Sequence, residues 1–255
     1  MATTITPPTT ETRTSGTGTR ATRIIGVAAI AMMAWLTAFG LAFSPADRDQ
    51  EEAVRILYIH VPTAWLAYLA FAVTAVCSGA YLFGKRHSLG FDRFAGASAE
   101  IGVVFMGLTL LTGALWGRIT WGVYWQWDAR LTTTALLFVT YIGYLAVRGL
   151  GGTHHQRAKR SAVIGLLAVV EIPLVHFSVV LWRSLHQEAS VLDTDGDVSI
   201  DGLMLFSLFV GVIAFTLLFV WLLLHRARGL ALADAVEDHG LDAALDARRR
   251  EGERA

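Results

Sequence analysis

The feature that most constrains the fold of this chain is a series of six long apolar stretches separated by short polar segments. They lie near residues 24–43, 56–83, 97–116, 131–147, 161–182 and 203–224. Roughly 17–25 helical residues cross the ~30 Å hydrocarbon layer of a bilayer, and in lipid a single segment satisfies its backbone polar groups only as a helix. The pattern therefore predicts an all-α polytopic membrane protein with six transmembrane helices.

Composition narrows the functional classes further. Hydrophobic residues make up 54% of the chain and no amphipathic covering helices remain, which disfavours a soluble bundle. The 21 basic and 21 acidic residues balance, so no surface for nucleic acid is expected. The single cysteine, Cys77, allows no intramolecular disulfide, and without a C-x-x-C-H motif the chain is not itself a covalent c-type cytochrome.

The distribution of lysine and arginine between alternate loops predicts the orientation, because cytoplasmic loops are enriched in these residues. The richer side holds Arg13, Arg20, Arg23, Lys85, Arg86, Arg93, Arg148, Arg157, Lys159, Arg160, Arg226 and Arg228. We therefore expect both termini in the cytoplasm and residues 121–130 outside it. The chain then divides into a disordered cytoplasmic tail at 1–22, a six-helix membrane domain at 23–225 and a cytoplasmic tail at 226–255.

The segment "WGVYWQWDAR" (residues 121–130) is unusually rich in aromatic side chains. A tryptophan at a membrane interface needs no special function, since its amphipathic ring suits the headgroup region. With the preceding Trp116, however, four indoles fall within the twelve residues 116–127, which favours a platform for a large planar ligand over an interfacial belt. If the loop were helical, Trp121, Trp125 and Asp128 would share one face. The candidate residues are Trp116, Gly117, Trp121, Gly122, Tyr124, Trp125, Trp127 and Asp128.

Two histidines flank this loop in sequence at the same expected membrane depth. His60 lies at the start of the second apolar stretch and His186 just beyond the fifth. Neutral imidazole is a common axial ligand of haem iron, so both are candidate metal ligands, with His176 as an alternative to His186. Arginines at the same face are candidates to pair with haem propionates: Arg55, Arg118, Arg130 and Arg183.

The segments "LYIHVPTAW", "GALWG", "WGVYWQWDAR" and "HFSVVLWRSLHQ" resemble the haem-handling proteins with a Trp-rich "WWD" domain, and most closely the cytochrome c maturation protein C (haem exporter protein C) family. The resemblance covers about residues 20–225. It implies six transmembrane helices with both ends cytoplasmic, in the bacterial inner membrane. It also implies that haem b is bound transiently at the outer face, with His60 and His186 as axial ligands and the loop against the macrocycle.

The resemblance further implies that haem passes to a periplasmic haem chaperone during c-type cytochrome biogenesis. The implied partners are that chaperone, a small single-helix maturation protein and the subunits of an ATP-binding-cassette transporter. Such a protein binds and presents haem rather than turning over a substrate, although it can promote covalent attachment of haem to the chaperone. Three alternatives remain open: a haem lyase of the same superfamily, a membrane b-type redox protein, and a small-solute transporter.

Three other signals carry less weight. Glu171 lies at mid-membrane depth, where it is either a hydrogen-bonding residue between helices or a site for a proton or partner helix. Residues 193–202 begin like a calcium loop but lack its glycine and its bidentate acid. The segment "THHQR" (153–157) is interpreted as a solvated turn rather than a metal site.

Overall fold

The computed structural model describes residues 18–47, 50–182, 184–186 and 202–252, and it contains no β-strand in these ranges. Helix α1 continues into a π-helical turn at Phe39–Phe43, and a 3₁₀ turn at Glu52–Ile56 leads into α2. The α-helices are α1 (Arg20–Ala38), α2 (Leu57–Phe83), α3 (Leu89–Thr120), α4 (Ala129–Arg148), α5 (His154–Ala168), α6 (Glu171–Leu181) and α7 (Gly202–Gly252).

Within the described residues, six helical segments are long and apolar enough to cross a membrane, which confirms the predicted fold class. Helices α5 and α6 together form one of these segments, at His154–Leu181. The junction between them follows from Pro173, which has no N–H to donate to the Val169 carbonyl. That carbonyl instead accepts from the backbone N–H of Ile172, at 3.2 Å, and the helix is interrupted there.

Two helices extend well beyond the apolar stretches that predicted them. Helix α3 begins at Leu89, where the Ser88 side chain caps it, and so includes the charged residues Asp92 and Arg93 before the apolar stretch. Helix α7 does not end near residue 224 but continues to Gly252, a length of about 76 Å at 1.5 Å per residue. Residues 226–252, which belong to the expected C-terminal tail, therefore continue the last transmembrane helix.

The core of the bundle is the contact between α2 and α3, where small residues allow the two backbones to approach closely. Ala67, Ala70 and Ala97 are fully buried in this contact. Hydroxyl groups bridge the two helices: Ser98 donates to the Ala70 carbonyl at 2.7 Å, and Thr74 donates to the Ala95 carbonyl at 3.3 Å. These bonds satisfy polar groups that would otherwise be costly in an apolar environment.

The outer surface of the bundle carries the apolar side chains that a bilayer requires. Val76, Val139 and Val180 are each more than 60% exposed although they lie in the middle of apolar helices. Exposure of this kind would be unusual for a soluble domain but suits side chains in contact with lipid. The chain is therefore a multi-pass membrane protein.

The six crossings place the loops at two ends of the bundle. We call the end with the start of α2 and the 121–128 loop the tryptophan end. The opposite end, with the starts of α3 and α5, is the ion-pair end. There Arg148 donates two hydrogen bonds to the buried Asp92 carboxylate, at 2.5 and 2.7 Å. Arg226 pairs with Glu100, and Arg93 pairs with Asp234 at 2.8 Å.

Glu171 opens α6 inside the membrane-spanning segment. Its Oε1 accepts a hydrogen bond from the Thr140 hydroxyl of α4, at 3.0 Å, which matches the predicted interhelical role. Its Oε2 is buried and has no hydrogen-bond partner within the described residues.

Candidate functional site

His60 lies in the second turn of α2 and faces α3. Its Nδ1 is 3.0 Å from the Thr112 hydroxyl oxygen. The ring meets the Trp116 indole edge to face, with 5.6 Å between centroids and 76° between planes. Gly113 lies between Thr112 and Trp116 on α3, and a β-carbon at this position would lie 2.9 Å from His60 Cε1. The α3 surface therefore fits the imidazole closely.

The aromatic loop is not helical, so the predicted shared helical face of Trp121, Trp125 and Asp128 is wrong. Helix α3 ends where the Trp121 N–H bonds to the Gly117 carbonyl at 2.8 Å. Gly122 then adopts a φ of +77°, which a residue with a β-carbon adopts only with strain. The chain runs irregularly from there to Asp128, whose extended backbone conformation begins α4.

The tryptophans of the loop occupy different environments. The Trp116 N–H donates to the Gln50 side-chain oxygen at 2.8 Å, which fastens the end of α3 to the α1–α2 connection. Trp125 and Trp127 meet edge to face at 5.5 Å between centroids. Trp127 is 80% exposed, whereas the Trp125 Nε1 is buried and has no hydrogen-bond partner in the described part of the chain. Tyr124 is also exposed.

Asp128 connects the loop to the third segment of the site. One carboxylate oxygen accepts from the Leu131 N–H at 2.8 Å and caps α4. The other accepts from the Ser184 hydroxyl at 2.6 Å and from the Leu185 N–H at 3.2 Å. The Ser184 oxygen in turn accepts from the His186 N–H at 3.1 Å. Asp128, a predicted site residue, thus holds the turn that carries His186.

The two flanking histidines come together at the tryptophan end. The His186 ring lies 6.3 Å from the Trp121 ring, between centroids, and at 66° to it. His186 and Arg130 are both within electrostatic range of His60. His176 differs: its residue is exposed on α6, its ring packs against Phe177, and its backbone carbonyl accepts a bond from Arg130.

The arginines at this end are largely engaged by the protein itself. Arg55 donates to the carbonyls of Leu41 and Ser44 and pairs with Glu52 at 2.7 Å. Arg118 donates to the Gly122 carbonyl and lies over the Tyr124 ring, 5.7 Å from its centroid.

Arg130 has the most capacity left for a ligand. It donates to the His176 carbonyl at 2.8 Å, but its Nε is buried without a partner among the described residues. Arg183 and the predicted calcium-like segment up to residue 201 lie outside the described residues.

Several residues of the site were not found by sequence reasoning. Gln50, Thr112 and Ser184 each contact a candidate residue that is 52 or more positions away in sequence. Thr112 carried a usable signal, since it lies four residues before Trp116 and therefore on the same helix face. A groove beside Trp121 is lined by Gln50, Glu51, Ile119, Thr120 and Trp121.

At the ion-pair end, His154 of the "THHQR" segment lies with Asp234 and Glu237, whose potential ligand atoms are all within 4.8 Å of one another. Both acids already have arginine partners, because Asp234 pairs with Arg93 and Glu237 with Arg157. This cluster connects α5 to the extension of α7, and its charges are balanced without a metal ion.

Comparison with known proteins gives a consistent result. A family model described as Heme exporter protein C matches residues 3–240. The chain is 44% identical over 196 residues to Heme exporter protein C of Bradyrhizobium diazoefficiens, covering 76% of this chain and 73% of that protein. It is 39% identical over 193 residues to the protein of the same name from Haemophilus influenzae, covering 74% and 76%. The Escherichia coli K12 protein of that name is 34% identical over 198 residues, covering 78% of each chain.

Proposed function

Because this chain belongs to the Heme exporter protein C family, we propose that it binds haem b transiently at the tryptophan end and delivers it to a haem chaperone. The observation that carries this proposal is the approach of His60 and His186, which come from separate elements on either side of the tryptophan loop. Two imidazoles in this setting suit the two axial positions of a haem iron. Haem is the cargo of the protein, and the iron would be held by His60 and His186.

The surroundings of the histidines fit a large planar anion. Indole rings from Trp116 and Trp121 flank the imidazoles, so apolar aromatic surface is available to the macrocycle. A buried donor without a protein partner is costly unless a ligand satisfies it. The Trp125 Nε1 and the Arg130 Nε are two such donors, and a propionate is an acceptor that a guanidinium binds well. Arg55 and Arg118 are placed to support the site through the loops they hold.

The exposed part of the loop suits transfer to another protein. Tyr124 and Trp127 are 59% and 80% exposed beside the more buried Trp121 and Trp125. We propose that the chaperone docks over these rings and receives haem there, with this protein presenting haem rather than catalysing a turnover. A role in promoting covalent attachment to the chaperone is compatible with that presentation. We further propose a small single-helix protein and ATP-binding-cassette transporter subunits as partners in the same pathway.

The proposed location is the bacterial cytoplasmic membrane, with the tryptophan end in the periplasm and both termini in the cytoplasm. The support is the excess of lysine and arginine at the ion-pair end, because positively charged loops remain on the cytoplasmic side.

The position of the histidines bears on the alternative functions. A b-type redox protein would hold haem between histidines near the middle of the bundle, whereas His60 and His186 lie close to one end of the helices.

The test is the visible spectrum of the detergent-purified chain after addition of haem, with His60→Ala, His186→Ala and the double variant. We expect a Soret band in the wild type that is shifted in each single variant and lost in the double variant. His176→Ala is the matched control, because its exposed ring lies at the same end and should leave the band unchanged. Haem retained by the double variant with a wild-type spectrum would reject the ligand assignment.

Transfer is tested separately from binding. Trp125→Ala should reduce loading of the chaperone even where iron ligation survives, since the indole borders the exposed rings of the loop. Normal loading by a folded Trp125→Ala variant would reject the role of this loop in transfer.

A further inference from the structure

The geometry points to Thr112 as a positioning residue that fixes the tautomer of His60, so that Nε2 is the nitrogen left able to bind iron. This inference rests on the proposed function, because it concerns how one proposed axial ligand is prepared for iron. A neutral imidazole carries its proton on only one of its two nitrogens, and the other nitrogen is the one able to bind a metal.

The hydrogen bonds of Thr112 determine which His60 nitrogen carries the proton. A threonine hydroxyl has one proton to donate and can accept through its lone pairs. The Thr112 hydroxyl donates to the Leu108 carbonyl at 2.8 Å, with the Thr109 carbonyl at 3.2 Å as a second acceptor. Both of these partners are carbonyl oxygens, which can only accept, so the hydroxyl proton is already committed within α3.

The oxygen of Thr112 therefore meets His60 as an acceptor. His60 Nδ1 lies 3.0 Å from it, and this contact is a hydrogen bond only if Nδ1 bears the proton. Nε2 is then the unprotonated nitrogen, as metal-binding histidines with a second partner on the other nitrogen require.

Gly113 provides the space for this orientation. A β-carbon there would lie 2.9 Å from Cε1, 3.5 Å from Nδ1 and 3.8 Å from Nε2 of His60. Contacts under 3.0 Å force a neighbour to move, and the imidazole could not keep both its place and its bond to Thr112. Cε1, the carbon between the two nitrogens, is therefore the ring atom closest to the Gly113 position.

The tautomer is measured first, in the absence of haem. The full chain is purified in detergent with ¹⁵N-labelled histidine, and His60→Gln identifies the His60 ring signals by difference. We expect the Nδ1–H form in the wild type and in Thr112→Ser, and a shift toward the Nε2–H form in Thr112→Val. An Nε2–H form in the wild type, or an unchanged tautomer in Thr112→Val, would overturn the inference.

Haem affinity is measured next by Soret titration. Loss of a partner that orients a metal-binding histidine typically lowers affinity about 10–100-fold, so we expect a weakening of this order in Thr112→Val and recovery in Thr112→Ser. Thr37→Val is the matched control, because among the described residues the Thr37 hydroxyl donates only to the Met33 carbonyl of its own helix. Equal affinities in Thr112→Val and Thr37→Val would reject the positioning role.

Gly113→Ala provides a second route that leaves the Thr112 hydroxyl in place. Displacement of the ring should shift the His60 signals and weaken haem binding, whereas Gly107→Ala on the same helix should do neither, because its β-carbon would meet only Phe138 at 3.6 Å. Wild-type signals and affinity in Gly113→Ala would contradict the close fit. If His60→Ala kept wild-type haem affinity, the proposed function would fail, while the haem-free spectra would still decide the tautomer.

Discussion

The two ends of the bundle use charged and polar side chains in different ways. At the ion-pair end, Arg93, Arg148, Arg157 and Arg226 each pair with a carboxylate of another helix. At the tryptophan end, Arg118 and Arg130 donate to backbone carbonyls.

The tryptophan end also leaves buried donors unused. The Trp125 Nε1 and the Arg130 Nε both lack a partner within the described residues. At the ion-pair end the Arg160 Nε is also buried without a partner among the described residues, although its terminal nitrogen donates to the Leu150 and Gly151 carbonyls. The ends therefore differ mainly in how their arginines are paired, with carboxylates of other helices at the ion-pair end and with backbone carbonyls at the tryptophan end. We infer that the first end serves mainly stability and the second mainly binding.

The largest effect on stability should follow from breaking the Asp92–Arg148 pair. Its side chains are only 10% and 17% exposed, and removal of one partner from a buried pair costs about 3–5 kcal/mol because the other charge stays buried. Arg148→Met should therefore lower the free energy of unfolding by about that amount, measured by denaturant or thermal unfolding in detergent.

Two controls sharpen this result. Arg157→Met breaks a pair in which Glu237 is 56% exposed, so its cost should be at most about 1 kcal/mol. The double variant Asp92→Leu/Arg148→Met should recover much of the loss, since no unpaired charge remains. Equal losses of unfolding free energy in Arg148→Met and Arg157→Met would show that burial does not make the Asp92–Arg148 pair more stabilising than an exposed pair.

Substitution of Asp128 is expected to give the next largest loss of stability. It also tests whether a loss of stability is accompanied by a loss of haem binding. Asp128→Ala removes the α4 cap, which costs about 0.5–2 kcal/mol, and frees the turn that carries His186. Haem retention should therefore fall together with stability. Measurement of both quantities also for Thr153→Ala provides the contrast, because Thr153 only caps α5 at the ion-pair end.

The expected pattern is specific to the two ends. Thr153→Ala should lower stability by a similar amount and leave haem retention unchanged. If Asp128→Ala lost stability but retained haem as the wild type does, the connection between Asp128 and the His186 turn would have no role in binding.

Much of the fold could be predicted from the sequence because the bilayer limits the possible structures. Apolar stretches of sufficient length must be helices, and six were found. Pro173 could also have predicted the break between α5 and α6. The extension of α7 could not be predicted in the same way, because its pairs with Arg93 and Arg157 join residues 80 or more positions apart.

The candidate site was predictable in its residue types but not in its geometry. Four indoles and two histidines indicated a planar ligand. The shape of the loop depends on the positive φ of Gly122 and on Asp128, which bonds to Ser184 across 56 positions. A single sequence contains no direct signal for such distant contacts, so the support that Asp128 gives to the His186 turn could not be predicted.

A smaller effect should distinguish Trp116, near the end of α3, from Trp125 of the loop. Trp116→Phe removes the donor to Gln50 and should cost about 0.5–1.5 kcal/mol of stability. Trp125→Phe removes an N–H that has no partner in the described part of the chain, so the stability of the haem-free protein should hardly change.

If the unpartnered donors bind a ligand, the order of the two variants should be reversed when haem retention is measured, with the larger loss in Trp125→Phe. Trp125→Phe should then weaken haem retention or chaperone loading although the stability of the haem-free protein hardly changes. Normal haem retention and loading by Trp125→Phe would show that this donor has no ligand to satisfy and would weaken the contrast between the two ends.

The smallest effect is expected at Arg118, which holds the exposed surface of the loop. Its guanidinium donates to the Gly122 carbonyl and lies over Tyr124, and exposed cation–π contacts contribute about 0.5–1 kcal/mol. Arg118→Gln and Tyr124→Leu should each change stability by no more than about this amount, and their double variant should show coupling of the same order, since the two residues are in contact. A large loss of haem retention in Arg118→Gln without loss in Tyr124→Leu would instead mean that Arg118 contacts the ligand directly. In that case the arginine would release the Gly122 carbonyl on binding, and the tryptophan end would offer a third donor beside Trp125 and Arg130.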